Sequence, residues 1–411
     1  MNARSAIEAL RAGVPNRAAI RVLGTNETAI EEAFEGRLEQ CRLGLDEGKQ
    51  ARGLVVAGGF GAGKSHLLGT LRELAIEQNF IVSLVPISKE TPLFDAGKLY
   101  VAAMRNAIVP DRNDDVMTAV LADLVRRRDG YETLERWTND PASGLPPLFA
   151  ALLHLIPRQT ATPENVRAIE RFLGGGKLGN TTVKQWLRAA GAGRRFELKP
   201  VKEADMAVHR LRFAPRLFAA AGYAGWCILL DEVELIGRYG AMQRGRSYAE
   251  LSRWIGLDSH DPLPGVVSVC AITDDFVDSV IDRRRDEELV PPKLEARGQD
   301  RTARLAREGM RALGKQRTLF LRQPDEAVLR RTLDKVGRLY EDAYGWDPRD
   351  TGIGERLAQK TMRQYIKSWI TRWDMQRLYD ERQEIATESM RPDYTEDPDL
   401  EQVPAEPLQD D

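Results

Sequence analysis

The chain has 411 residues, enough for two or three domains, and a hydrophobic fraction of 42% that can fill a packed core. Charged residues reach 30%, yet the formal net charge is only −2, so the overall charge favours neither nucleic acid nor membrane and a basic binding surface has to be local. Its three cysteines, Cys41, Cys227 and Cys270, are widely spaced and odd in number, which argues against a disulfide framework and against a zinc site.

The N-terminal stretch MNARSAIEALRAG carries no long apolar region and no cleavage site. No window approaches the ~18 apolar residues of a membrane span, so a soluble, cytoplasmic protein without membrane association is expected. Residues Ala6 to Gln50 show helical spacing, broken by a turn at Gly13-Val14-Pro15-Asn16, with Asn16 as cap of a helix starting at Arg17. Gly53–Ala57 is a short apolar run that reads as a buried parallel strand, followed by a glycine loop, a helix over Lys64–Gln78 and a second β-rich run over Phe80–Ile87. Strand, loop, helix, strand is a βαβ unit and predicts a mostly parallel sheet with helices on both faces. The interval from Ile87 to the next strand at Trp226 is too long for a plain crossover. It holds helical patterns at Leu99–Ala107, Val116–Arg128, Leu148–Leu155, Pro163–Leu173 (Thr162 as cap, Pro163 at the first position) and Thr182–Ala190. Ala204–Ala221, which contains Pro215, is a last helix before the sheet resumes.

Cys227–Leu230 and Val266–Ile272 are two further buried strands, with Cys227 and Cys270 as small core residues, and Thr318–Leu321 is a candidate fifth. Beyond Pro324 the chain turns helical, over Glu326–Tyr344 and Gly354–Ile385. From Thr387 the sequence is acidic and proline-bearing, the composition of a disordered tail. The expected organisation is therefore an N-terminal helical segment (1–50), an α/β core (51–109 and 201–323), a helical insertion (110–200), a C-terminal helical lid domain (324–386) and an acidic tail (387–411).

Gly58-Gly59-Phe60-Gly61-Ala62-Gly63-Lys64-Ser65 matches the GxxxxGK[ST] phosphate loop in full, between a strand and a helix. The glycines open backbone angles that turn successive N–H groups toward phosphate oxygens, and the helix that follows adds its positive end. Lys64 supplies a cation for the β- and γ-phosphates of ATP, and Ser65 a hydroxyl for Mg²⁺. The loop stretch, extended by His66, forms the expected nucleotide-binding set. The strand Trp226–Leu230 ends in Asp231-Glu232, where an open sheet presents ligand groups. Asp231 is the candidate Mg²⁺ ligand and Glu232 the candidate that polarises the attacking water. An acidic helix cap after a strand is the competing reading, and the glycine loop decides between them.

Three further positions are weighed against plain alternatives. Thr273, at the tip of the strand beside the acid-bearing one, is positioned to sense the γ-phosphate or the water, although a strand-ending turn looks the same. Arg283, foremost of Arg283-Arg284-Arg285 on a predicted helix, is a candidate finger toward a neighbouring subunit's nucleotide, a role that Arg297 or Arg301 could also fill, against a solvated helix end. Arg363 opens an amphipathic helix whose apolar face is Tyr365, Ile366, Trp369, Ile370 and Trp373, and it can fold back onto nucleotide or simply meet solvent. The four histidines show no ligand spacing, so no metal beyond Mg²⁺ is expected.

The segments GGFGAGKSHLL, AGYAGWCILLDEVELIGRYG, RQYIKSWITRWDMQRLY and RAGVPNRAAIRVLG together resemble the ATP-binding proteins of BREX-type bacterial phage-defence systems, over about Ala6 to Tyr379. The length is closer to the smaller ATPase of such systems. The resemblance implies an AAA+-like P-loop fold with a five-stranded sheet of order 5-1-4-3-2 and a helical lid. It also implies homo-oligomers or assembly with other defence proteins, such as a helicase or methyltransferase, and action on DNA. The function expected from the sequence is thus Mg²⁺-dependent ATP hydrolysis in such a complex. An origin-recognition or clamp-loader-like DNA ATPase, or a nucleotide-gated scaffold with little turnover, stays open as an alternative.

Overall fold

The computed structural model describes residues 3–13, 16–157, 162–348, 361–379 and 394–397. A single six-stranded sheet organises the chain. Its strands are β1 (Leu54–Ala57), β2 (Ile81–Pro86), β3 (Ala107–Ile108), β4 (Trp226–Asp231), β5 (Val266–Ile272) and β6 (Thr318–Phe320). They lie in the order β3-β2-β4-β5-β1-β6. Five of them run parallel. The expected count of five is corrected to six: Ala107–Ile108 adds antiparallel to β2 through Val82 and Ser83. A two-residue strand has no periodicity to read, which is why the sequence pattern passed over it.

The central strands β4, β5 and β1 are buried along their whole length because helices cover both faces. Along β1 and β4 the side chains alternate. Val55, Ala57, Ile228 and Leu230 enter one apolar cluster, which also takes in Phe149, Leu152 and Leu124 from the helices between residues 116 and 155. Val56, Cys227 and Leu229 enter a second cluster with Phe34 and Leu38 of the Thr28–Glu47 helix and Leu68 and Leu71 of the Lys64–Glu77 helix. Burial pushes the thiols of Cys41, Cys227 and Cys270 well above the usual cysteine range, so all three are unreactive core residues.

A third cluster joins the two ends of the chain. Ile7, Leu10 and Leu23 pack against Leu329, Val336 and Tyr340, and against Trp369 and Trp373. Asp374 fastens it, accepting from Arg11 at 2.8 Å and from the Tyr340 hydroxyl at 2.7 Å. Trp369 and Trp373 are fully enclosed, and truncating either to Ala would cost on the order of 3–5 kcal/mol.

Local signals account for the helix starts. Asn16 accepts from the Ala19 N–H and opens the Arg17–Leu23 helix, and Thr162 accepts from the Asn165 N–H ahead of Pro163–Leu173. Thr361 and Gln364 form a reciprocal capping box that starts the Met362–Tyr379 helix, with Arg363 in its first turn. The expected helix over Gly354–Ile385 lies partly outside the described residues. Two expectations are corrected. Arg283–Arg285 is not helical: it is the turn between the Val277–Asp282 π-helical turn and the Asp286–Glu295 helix, with Arg285 left-handed at φ 55°. The acidic tail is packed at residues 394–397, where Arg238, Arg244 and Arg284 bind it. Specific charge pairing supplies what that stretch lacks in apolar surface.

Candidate nucleotide site

Register brings the candidate residues to one edge of the sheet. Ala57, the last residue of β1, pairs with Ile272, the last of β5, and Asp231 ends β4 opposite Pro86 of β2. The phosphate loop, the acid pair and Thr273 therefore leave neighbouring strands at the same edge, the carboxyl end of the sheet.

The loop is held by backbone contacts, Gly58 N–H to Ile272 C=O at 3.2 Å and Ala62 N–H to Gly59 C=O at 3.0 Å. Two glycines are required by conformation. Gly63 caps the Lys64–Glu77 helix at φ 110°, and Gly61 sits at φ 77° with the Thr361 hydroxyl 3.0 Å from where a Cβ would stand. Lys64 is buried. Its Nζ donates to Gly58 C=O at 2.9 Å and lies 3.6 Å from Glu234 Oε1.

Asp231 is buried, and its Oδ1 accepts the Glu232 N–H at 3.0 Å. Glu232 adopts a left-handed backbone, φ 57° and ψ 32°, which a residue with a side chain takes only at a cost of roughly 1–3 kcal/mol. Loss of solvation, and secondarily Asp231, raise the Glu232 carboxyl above its usual range, while Lys64 and Arg363 draw it down. Arg363 also lies over the exposed Phe60 ring, 5.7 Å from its centroid. The structure thus brings Lys64, Asp231, Glu232 and Arg363 into one electrostatic group, although Arg363 is distant in sequence.

Glu234 belongs to the same group and was missed by sequence reasoning. It is buried, its Oε2 has no hydrogen-bond partner among the described residues, and burial pushes its carboxyl up to about 7 against the opposing pull of Lys64. The available signal was a third acid directly after the strand, in Asp231-Glu232-Val233-Glu234.

The remaining candidates are placed differently. His66 lines the cavity described below, but its ring is spent on the N-terminal segment: Nε2 meets Gly24 C=O at 2.6 Å, and burial lowers its proton affinity. Thr273 is buried at the tip of β5, with its hydroxyl engaged by Tyr394. Arg283 is exposed on its turn. Its neighbours are occupied, Arg284 by Glu396 at 3.0 Å and Arg285 by Glu288.

A cavity of about 410 Å³ opens beside Gly61–Leu67, within the range of small-molecule sites. Ser65 and Arg363 line it on the loop side, and Leu23, Asn26, Val328 and Ile366 come from the two ends of the chain. Its walls mix apolar side chains such as Leu23 and Val328 with polar ones such as Asn26 and Arg331. The oxygen donors Ser65 and Asp231 suit a hard cation that keeps most of its ligands as water and phosphate, as Mg²⁺ does. Among the described residues no helix is long and apolar enough to cross a membrane.

No curated protein and no solved structure matches the chain. The model of one family, described as BREX system ATP-binding protein BrxC/D, matches residues 1–378, nearly the whole length. The geometry agrees with the ATP-binding character that this family carries, and the chain belongs to the BrxC/D family of BREX system ATP-binding proteins.

Proposed function

We propose that this chain is a Mg²⁺-dependent ATPase of AAA+-like architecture that works in a phage-defence complex, on DNA and with partner proteins. The observation that carries the reading is the convergence of Lys64, Asp231, Glu232 and Arg363 at the carboxyl edge of the sheet, beside a cavity of nucleotide size. Lys64 turns from Gly58 C=O and Glu234 to neutralise the β- and γ-phosphates. Ser65 and Asp231 hold Mg²⁺, whose charge offsets that on the phosphates. Glu232 orients water and accepts its proton, and its burial raises that proton affinity above the ordinary carboxylate range. Thr273 reports the γ-phosphate, and Arg363, on the helical lid formed by the C-terminal helices, closes over the site. Arg283, exposed and outside the cavity, fits action on a neighbouring subunit in an oligomer.

One observation favours a second reading, a nucleotide-gated scaffold with little turnover of its own. Lys64 is paired with Glu234 and Thr273 with Tyr394, so two of the proposed groups are engaged elsewhere in this state. Glu232→Gln separates the readings. It removes the charge that orients water and keeps the loop and the Mg²⁺ ligands. The ATPase reading expects retained ATP binding and turnover lowered by ~10²-fold or more. Equal turnover of variant and wild type, with or without DNA, overturns the assigned role.

A further inference from the structure

Residues 394–397, Tyr-Thr-Glu-Asp, meet the body of the protein through side chains of both charge and shape. The Tyr394 hydroxyl donates to Asp275 Oδ1 at 2.9 Å and shares a second hydrogen bond with Thr273 Oγ1. A phenol has one proton. With that proton on the Asp275 carboxylate, the Tyr394 oxygen accepts, and the Thr273 O–H must point at it. Thr273 is then unable to donate to a phosphate oxygen. The Tyr394 ring meets Phe276 edge-on at 6.2 Å and lies against Gly237, where an added Cβ would stand 3.0 Å from the ring. Gly237 belongs to the 3₁₀ turn Val233–Arg238 that follows the acid pair.

Three arginines grip the rest of the segment. Arg284 donates to the Tyr394 carbonyl and to Glu396, the latter at 3.0 Å. Arg244, itself buried and pinned to Asp286, reaches Glu396 at 2.8 Å. Arg238 pairs with Asp397 at 2.8 Å, and the Asp397 N–H returns a bond to Arg238 C=O at 3.1 Å. Arg244 is positioned whether or not the segment is present, because Asp286 and the Tyr239 carbonyl hold it independently. This is a cationic receptor, preorganised at Arg244, beside a hydroxyl and a carboxylate, and it matches an acidic segment that carries a tyrosine.

We propose that Arg238, Arg244 and Arg284, together with Thr273 and Asp275, form a docking site for an acidic, tyrosine-bearing segment of this same chain, residues 394–397. Docking there holds Thr273 away from the nucleotide and occupies Arg284. The regulatory consequence rests on the reading of Thr273 as part of a hydrolytic site; the docking itself does not. Release of the segment frees Thr273 and Arg284 together and raises turnover with little change in ATP affinity, since among the described residues the segment bonds to Thr273, Asp275 and the three arginines and not to Lys64 or the glycine loop.

The test uses the full chain. Glu396→Ala/Asp397→Ala removes the acidic grip, and Tyr394→Phe removes only the hydroxyl. Both are expected to raise kcat about tenfold, the change seen when a state populated at the ten-per-cent level becomes dominant, with KM for ATP nearly unchanged. A labelled synthetic peptide spanning residues 392–399 should bind the Glu396→Ala/Asp397→Ala protein, return its kcat toward the wild-type value, and bind far more weakly once Arg284→Ala is added. Wild type, with its site filled, should bind the peptide poorly. Failure of the peptide to bind the double variant overturns the docking site. Peptide binding with kcat unmoved in both tail variants overturns the regulation. Peptide binding to a protein that takes up no ATP leaves the docking site standing and sinks the nucleotide reading.

Discussion

Replacing Glu234 with Gln probes the least expected member of the site. Its carboxyl is buried, 3.6 Å from Lys64, and raised from the ordinary 4.5 to about 7. Glu232 and Asp231 also disfavour its charge, while Lys64 and a backbone hydrogen bond favour it; the Tyr394 phenol lies nearby and stays neutral throughout. An acid whose proton affinity is raised by folding stabilises the protein fully only below its unfolded value. That stability falls as pH climbs from about 4.5 toward 7 and is flat above. Each pH unit in that window is worth about 1.4 kcal/mol, so the ionised side chain costs the fold on the order of 3 kcal/mol above pH 7. Gln mimics the neutral acid and does not titrate. The two proteins should therefore match near pH 4.5, and the variant should gain steadily to an advantage on the order of 5 °C in Tm by pH 7.5. Thermal unfolding without nucleotide, across pH 4.5 to 8.5, reads this gap. A second measurement follows from the same pair. When Lys64 turns to phosphate, Glu234 loses its cation and takes up a proton, so ATP binding at pH 7.5 should be proton-linked. Calorimetry in buffers of different ionisation enthalpy should show uptake in wild type and none in Glu234→Gln. Melting curves that stay parallel across the whole window would refute the argument.

The other expectations are simpler. Lys64→Ala should weaken ATP binding and abolish turnover, and unchanged affinity and rate would mean the loop is not a nucleotide site. If Arg283 acts on a neighbour, specific activity should rise with protein concentration, and mixing Lys64→Ala with Arg283→Ala should restore some turnover; a strict monomer with concentration-independent activity excludes this. On the Glu326–Tyr344 helix, Arg330, Arg331, Lys335 and Arg338 are exposed, but Arg330 pairs with Glu326 at 2.8 Å, Arg331 reaches Asn26 and Lys335 donates to Leu23 C=O at 2.6 Å. Their replacement by Ala should therefore loosen the wall of the cavity more than it weakens DNA binding. A drop in DNA affinity with a salt slope shallower by about one for each lost contact would place the DNA surface there instead.

The place of the glycine loop between strand and helix, the acid pair at a strand end and the buried strands were legible because their signals are local: glycines, lysine and serine at fixed spacing, and apolar runs that end in carboxylates. The same holds for the Glu326–Tyr344 helix, found with the expected bounds, and for the apolar face that buries Trp369 and Trp373. The Asp286–Glu295 helix escaped notice because Pro291 and Pro292 sit inside it and remove backbone donors, which reads as a break. Arg283–Arg285 was expected on a helix, yet Arg285 turns left-handed to start the Asp286–Glu295 helix.

What the tertiary structure alone decided are contacts between residues far apart in the chain. Glu234 meets Lys64 across 170 positions, and Tyr394 meets Thr273 across 121. The cavity wall joins Leu23 and Asn26 to Val328 and Ile366. No spacing rule encodes such pairings. They arise because the parallel sheet brings the ends of β1, β4 and β5 together, and because an apolar cluster closes the two ends of the chain over that edge. The chemistry each residue type can perform is written in the sequence; which of them share one low-dielectric site, and so shift one another's charge, is settled only by packing.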